Sequence, residues 1–152
     1  MTGEEKNQAL LEKFRIITAQ VATGDPDDFD TQLPLQLVAF HAEDSSMVCY
    51  FEVDRKFGNP YGIAHGGIVA TMLDIAQGAA VAAYTEMGRR ISTVSLQISY
   101  FKPVYTGKRF YVRTKITGTS GTMAYCSAET WQEEGTLTNS AASVYHLGKK
   151  RT

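Results

Sequence analysis

Asp74 places a carboxylate in a segment that otherwise excludes charge. From Ile68 to Tyr84 the chain reads IVATMLDIAQGAAVAAY, in which only Thr71, Asp74 and Gln77 are polar. Such a run reads as a helix buried nearly all the way round. At ~100° per residue, Thr71, Asp74 and Gly78 fall on one narrow stripe of it. Burying a carboxylate is costly unless the charge is paired or used. No basic residue lies within one turn of Asp74 to pair with it, so a general base or nucleophile is favoured over a structural ion pair. Nine residues earlier His65-Gly66-Gly67 opens the same helix. The first N–H groups of a helix are free donors backed by the positive end of its dipole. An oxyanion donor and a carboxylate together are the equipment for attack on a carbonyl. On one helix they stand more than two turns apart, about 13 Å, so a site of this kind needs a partner chain to complete it.

Taken singly, the surrounding residues have ordinary structural uses. His65 suits the organisation of a loop as well as chemistry, Gly66 and Gly67 allow close packing of a helix, and Asn59 before Pro60 is a good turn residue. Thr93 is an ordinary β-former, and Tyr84, Trp131 and Tyr145 read as core or interface. Cys49 and Cys126 carry no C-x-x-C or Cys/His spacing, so they read as small buried hydrophobes with no metal and no redox pair.

The elements that position these residues follow from periodicity. Leu10, Phe14, Ile17 and Val21 recur at helical spacing, predicting an amphipathic helix over about 4–22 that Gly24-Asp25-Pro26-Asp27-Asp28 ends. Leu35–Phe40 and the alternating Met47, Cys49, Phe51 and Val53 predict two strands. Residues 56–67, rich in Gly, Asn and Pro, form a loop that delivers His65 to the buried helix. After that helix the period becomes two: Val94, Leu96, Ile98 and Tyr100; Phe110, Val112, Thr114 and Ile116; Met123, Tyr125 and Trp131; then Ala141, Ser143, Tyr145 and Leu147. These read as an antiparallel meander. A helix apolar on nearly every side needs more cover than a flat sheet gives, which predicts an α+β fold with a curled antiparallel sheet wrapped around one long central helix.

The 152 residues make one domain, divided as an N-terminal helix and loop over 1–30, a core over 31–148 and a basic tail over 149–152, expected to fray. The formal charge of −1 and a pI near 6.3 give no general attraction to nucleic acid or an anionic membrane. The charged N-terminus has no apolar leader core, and no uninterrupted apolar stretch reaches ~18 residues; the expectation is a cytoplasmic protein.

The segment Asn59-Pro60-Tyr61-Gly62-Ile63-Ala64-His65-Gly66-Gly67, with Asp74 nine positions after the His, resembles the hotdog-fold acyl-CoA thioesterases. It is most similar to the phenylacetate-pathway branch of the hydroxybenzoyl-CoA thioesterase superfamily. The strand Thr93-Val94-Ser95-Leu96-Gln97-Ile98-Ser99-Tyr100-Phe101-Lys102-Pro103 extends the likeness, which covers roughly 46–147 and leaves the N-terminal helix outside. The resemblance implies a hotdog fold hydrolysing an acyl-CoA thioester to a free acid and coenzyme A, with no cofactor beyond the coenzyme A of the substrate. It implies that the Gly66 N–H polarises the thioester carbonyl and that Asp74 is base or nucleophile, Asp rather than Glu favouring this branch. Asn59 would hold water or substrate, His65 would belong to the same site, and Thr93, with Ser92 as its neighbouring candidate, would assist the carboxylate. Because carboxylate and glycine come from different subunits in that family, it also implies an obligate homodimer, commonly paired into a homotetramer. Arg89, Arg90 and Lys102 are candidates for the coenzyme A phosphates, as is the basic run from Lys149, although a solvated surface is the better account of each. Two other functions remain open at this point: a hotdog acyl-thioester hydratase or dehydratase, and a non-enzymatic acyl-CoA sensor. The absence of a helix-turn-helix extension weighs against the sensor.

Overall fold

The computed structural model describes residues 1–150, in which six antiparallel strands form one sheet that packs against a long helix. The chain begins with α1 (Gly3–Val21), opened by a capping box in which Thr2 accepts from the Glu5 N–H and the Glu5 carboxylate accepts from the Thr2 N–H. The short α2 (Phe29–Gln32), absent from the periodicity, seats buried Leu33 in the core. Then follow β1 (Gln36–His41), β2 (Ser46–Glu52), α3 (Gly66–Tyr84), β3 (Arg89–Tyr100), β4 (Arg109–Thr119), β5 (Met123–Trp131) and β6 (Leu137–Lys150).

The strand order β1-β2-β4-β5-β6-β3 corrects the meander. β4, β5 and β6 do follow one another as hairpins, but β3 pairs with β6 at the far edge. The reason is α3. It starts after β2 on one side of the sheet and crosses the concave face, so the chain re-enters at the opposite edge. α1 covers the other end of α3: Leu10, Leu11 and Phe14 pack on the core, Phe14 meets Phe40 edge-on at 5.8 Å, and the Lys13 ammonium donates to the Thr85 carbonyl just beyond α3. The expected apolar stripe of α1 holds only in its first half, since Val21 is 69% exposed.

α3 is also less enclosed than its composition predicts. Val69, Met72, Leu73, Ala76, Gln77, Ala80, Val81 and Ala83 are buried against the sheet, while Ala70, Thr71, Asp74, Gly78 and Ala82 are only partly covered. By length and composition alone this helix could cross a membrane; here its buried face packs against Phe51, Phe110 and Val112 of the strands. The tail also differs from the expectation: Lys149 and Lys150 continue β6, with Lys150 opposite Arg89, whereas Arg151 lies outside the described residues.

Candidate active site

The loop before α3 is built to deliver Gly66. Asn59 accepts from the N–H groups of Tyr61 (3.0 Å) and Ile63 (3.1 Å) through Oδ1, and its own N–H donates to the Ile63 carbonyl. Its side-chain carbonyl is therefore engaged in shaping the turn, which leaves only the amide NH2 for a ligand. Gly62 takes φ +75°, a left-handed conformation that favours glycine. The loop is then fastened on both sides: the Ala64 N–H donates to Val104 O (2.7 Å) and the His65 N–H to Phe57 O (3.0 Å), with Phe57 and Ala64 buried as anchors.

His65 is the N-cap of α3 through its backbone, its carbonyl accepting from the Ile68 and Val69 N–H groups. Its exposed imidazole makes no hydrogen bond among the described residues. The N–H groups of Gly66 and Gly67 likewise meet no acceptor among the described residues, as expected for the first turn of a helix. Tyr100, at the end of β3, donates to the Gly66 carbonyl at 2.6 Å and lays its ring beside that glycine.

Two turns on, Asp74 is held by two hydroxyls. Thr93 on β3 donates to Oδ1 at 2.8 Å, and Tyr145 on β6 donates to the same oxygen at 2.9 Å and to the Asp74 carbonyl at 3.0 Å. Both donors come from one cross-strand pair, because Thr93 lies directly opposite Tyr145 in the β3–β6 register. No donor reaches Oδ2 and no cation pairs with Asp74 among the described residues. The carboxylate therefore offers one fixed oxygen and one free one.

A β-bulge between Thr93 and Ser95 makes this arrangement possible. Leu96 and Ile98 pack on the core beneath the sheet. In a regular strand Thr93, three positions before Leu96, would face the opposite way. The extra residue at the bulge is Val94, which turns outward at 55% exposure and returns Thr93 to the α3 face. The expectation that Val94 shares a face with Leu96, Ile98 and Tyr100 is corrected here. Ser92, opposite His146, is exposed on the outer side and does not approach Asp74 of its own chain.

The basic candidates separate. Arg89 donates from Nε to Gly148 O (2.8 Å) and from Nη2 to Gly121 O (3.0 Å) and Leu147 O (2.8 Å), so its guanidinium ties the β5 and β6 ends together and is largely committed there. Arg90 lines an outer depression of about 290 Å³ with Ser92, His146, Gly148 and Lys149. Lys102 is exposed just past β3. The two cysteines are free and buried. Burial pushes the Cys49 thiol far up and the Cys126 thiol to about 11. Among the described residues no cluster of three metal-ligating side chains exists.

The family model of the Thioesterase superfamily matches residues 61–139, just over half the chain, including His65, Gly66, Asp74 and Thr93. The chain belongs to the thioesterase superfamily. Among curated relatives, the Pseudomonas aeruginosa protein PA0474 is 32% identical over 101 residues, covering 66% of this chain and 75% of that protein. Mouse acyl-coenzyme A thioesterase 13 is 28% identical over 108 residues, 70% of this chain and 76% of that enzyme. The E. coli PaaI protein of the phenylacetic acid degradation operon superposes with a TM-score of 0.77 at 12% identity, over 95% of this chain and 96% of that one, which makes the fold of this thioesterase a hotdog. Tyr145, the second hydroxyl on Asp74, lies outside the family match. Sequence reasoning read it as core or interface, and it is 2% exposed within the single chain. The one signal that could have found it is the period-two face it shares with Ser143 and Leu147, because a buried phenol needs an acceptor.

Proposed function

We propose that this thioesterase hydrolyses an acyl-CoA thioester to a carboxylic acid and coenzyme A, with Asp74 and Gly66 as its catalytic residues. The observation that carries the reading is a carboxylate with one oxygen fixed and the other free, on the same helix whose first N–H groups have no acceptor. The thioester carbonyl oxygen accepts from the Gly66 N–H, and the helix dipole stabilises the charge that develops on it. Asp74 Oδ2 either removes the proton from an attacking water or attacks the carbonyl carbon itself; in both routes the carbon–sulfur bond breaks and the coenzyme A thiolate leaves, and in the second a water then cleaves the acyl–Asp74 anhydride to release the acid. His65 and the Asn59 amide border the Gly66 end of the site. The acyl-CoA assignment is supported by the name of the mouse relative and by the shared family.

The same reading requires two chains. Gly66 and Asp74 of one α3 stand more than two helical turns apart, so one carbonyl carbon meets a carboxylate from one copy and a glycine from its partner. The twelve-residue β3 has β6 on one side only, and Val94 and Tyr100 on it are more than half exposed. An unpaired edge of this length is a template for a second copy, which supports a homodimer joined along β3, alone or paired again. Arg90 and Lys102 are then candidates for the coenzyme A phosphates. Following thiol release and product identity across aromatic and straight-chain acyl-CoA substrates tests the function. Free thiol with the matching acid supports it, whereas an enoyl thioester, or binding without turnover, contradicts it. Specific activity that persists in a monomer on dilution contradicts the shared site.

A further inference from the structure

Thr93 alone would leave Asp74 free to turn about its side-chain torsions. A second donor on the same oxygen removes that freedom, provided the donor is itself fixed. Tyr145 meets the condition. Its ring is 2% exposed, packed with Val81, Cys126 and Leu147, and its strand sits between β5 and β3. Its hydroxyl reaches both Oδ1 and the main-chain carbonyl of Asp74, which registers that side chain against its own backbone. Burial first, and the neighbouring Asp74 second, raise the phenol well above the ordinary tyrosine range, so it stays a protonated donor through neutral pH.

We infer that Tyr145 is the positioning residue of this site: with Thr93 it locks Oδ1 of Asp74, so that Oδ2 alone is presented to the water or the acyl carbon. The inference rests on the reading of Asp74 as base or nucleophile. Tyr145 acts through Asp74, so its removal reduces turnover without altering the acyl or coenzyme A contacts that govern binding.

The test compares Tyr145→Phe, which keeps the ring, with Tyr84→Phe, which removes a different phenol hydrogen bond, that from Tyr84 to the Ser46 carbonyl at 2.7 Å at the far end of α3. In acyl-CoA hydrolysis, Tyr145→Phe lowers kcat roughly tenfold with KM within about twofold, as expected for the loss of a hydrogen bond to a charged group. Tyr84→Phe lowers the melting temperature by about as much as Tyr145→Phe does and leaves kcat unchanged. In an Asp74→Asn background, where no reactive oxygen remains to be presented, Tyr145→Phe produces no further loss. Unchanged kcat in Tyr145→Phe, equal losses in the two single variants, or an undiminished additional loss in the Asp74→Asn background each overturns the inference. An active Asp74→Asn protein instead overturns the underlying reading of Asp74, so the two failures are distinguishable.

Discussion

Thr93 and Asp74, 19 residues apart in sequence, meet at 2.8 Å across the gap between β3 and α3, and they do so because a bulge at Val94 turns Thr93 toward α3. Both residues sit on rigid elements, a condition for holding a reactive carboxylate within a few tenths of an ångström of its working position.

Removing the Thr93 hydroxyl without altering the strand isolates this contact. Thr93→Val keeps the β-branched shape on an edge strand, so the melting temperature stays within a few degrees, while kcat falls about tenfold through the lost bond to Oδ1. Thr93→Ser restores most of the rate. Steady-state kinetics on the two variants check it, and equal rates in wild type and Thr93→Val would remove Thr93 from the site.

Arg89 separates structure from ligand binding among the basic residues. Its three bonds to the carbonyls of Gly121, Leu147 and Gly148 predict that Arg89→Ala destabilises the fold by on the order of 1–2 kcal/mol, with KM for acyl-CoA little changed. Arg90→Ala and Lys102→Ala should show the opposite pattern, with ordinary stability and raised KM. Urea denaturation alongside kinetics resolves the two patterns, and a raised KM in Arg89→Ala with full stability contradicts this division.

The buried thiols set an alkaline limit rather than a mechanism. Burial raises Cys126 from 9.0 to about 11, so the folded protein holds its proton where the unfolded chain has released it. This contribution to stability is fully present below about pH 9 and is lost as the pH rises through about 11. Cys126→Ser therefore flattens the decline of the urea midpoint between pH 9 and 11, and thiol alkylation at pH 8 leaves hydrolysis intact. Rapid inactivation by a thiol reagent at pH 8 in the folded protein would reopen a thiol mechanism.

Much of this site was legible because charge is conspicuous in an apolar helix. Asp74 and the Gly66 helix start could be read from composition, and the strands from their period of two. Three features could not. The place of β3 beside β6 depends on how α3 crosses the sheet, a long-range choice that local pattern does not encode. The bulge at Val94 breaks the period that identified the strand, so the period assigned Val94 to the wrong face. Tyr145 looks like any core aromatic until the register sets it opposite Thr93. Lys149 and Lys150 reveal a related limit: charge suggested a frayed tail, but backbone pairing to β3 carried the strand through them.

The most direct measurement is the hydrolysis rate of Asp74→Asn. The amide retains an oxygen to accept from Thr93 and Tyr145 but removes the charge and the basic Oδ2, so shape and packing persist. With Asp74 as base or nucleophile, kcat falls by on the order of 10² to 10⁴, KM changes little, and the melting temperature holds or rises because a partly buried charge has gone. Near-wild-type hydrolysis by a folded Asp74→Asn protein would contradict the mechanism.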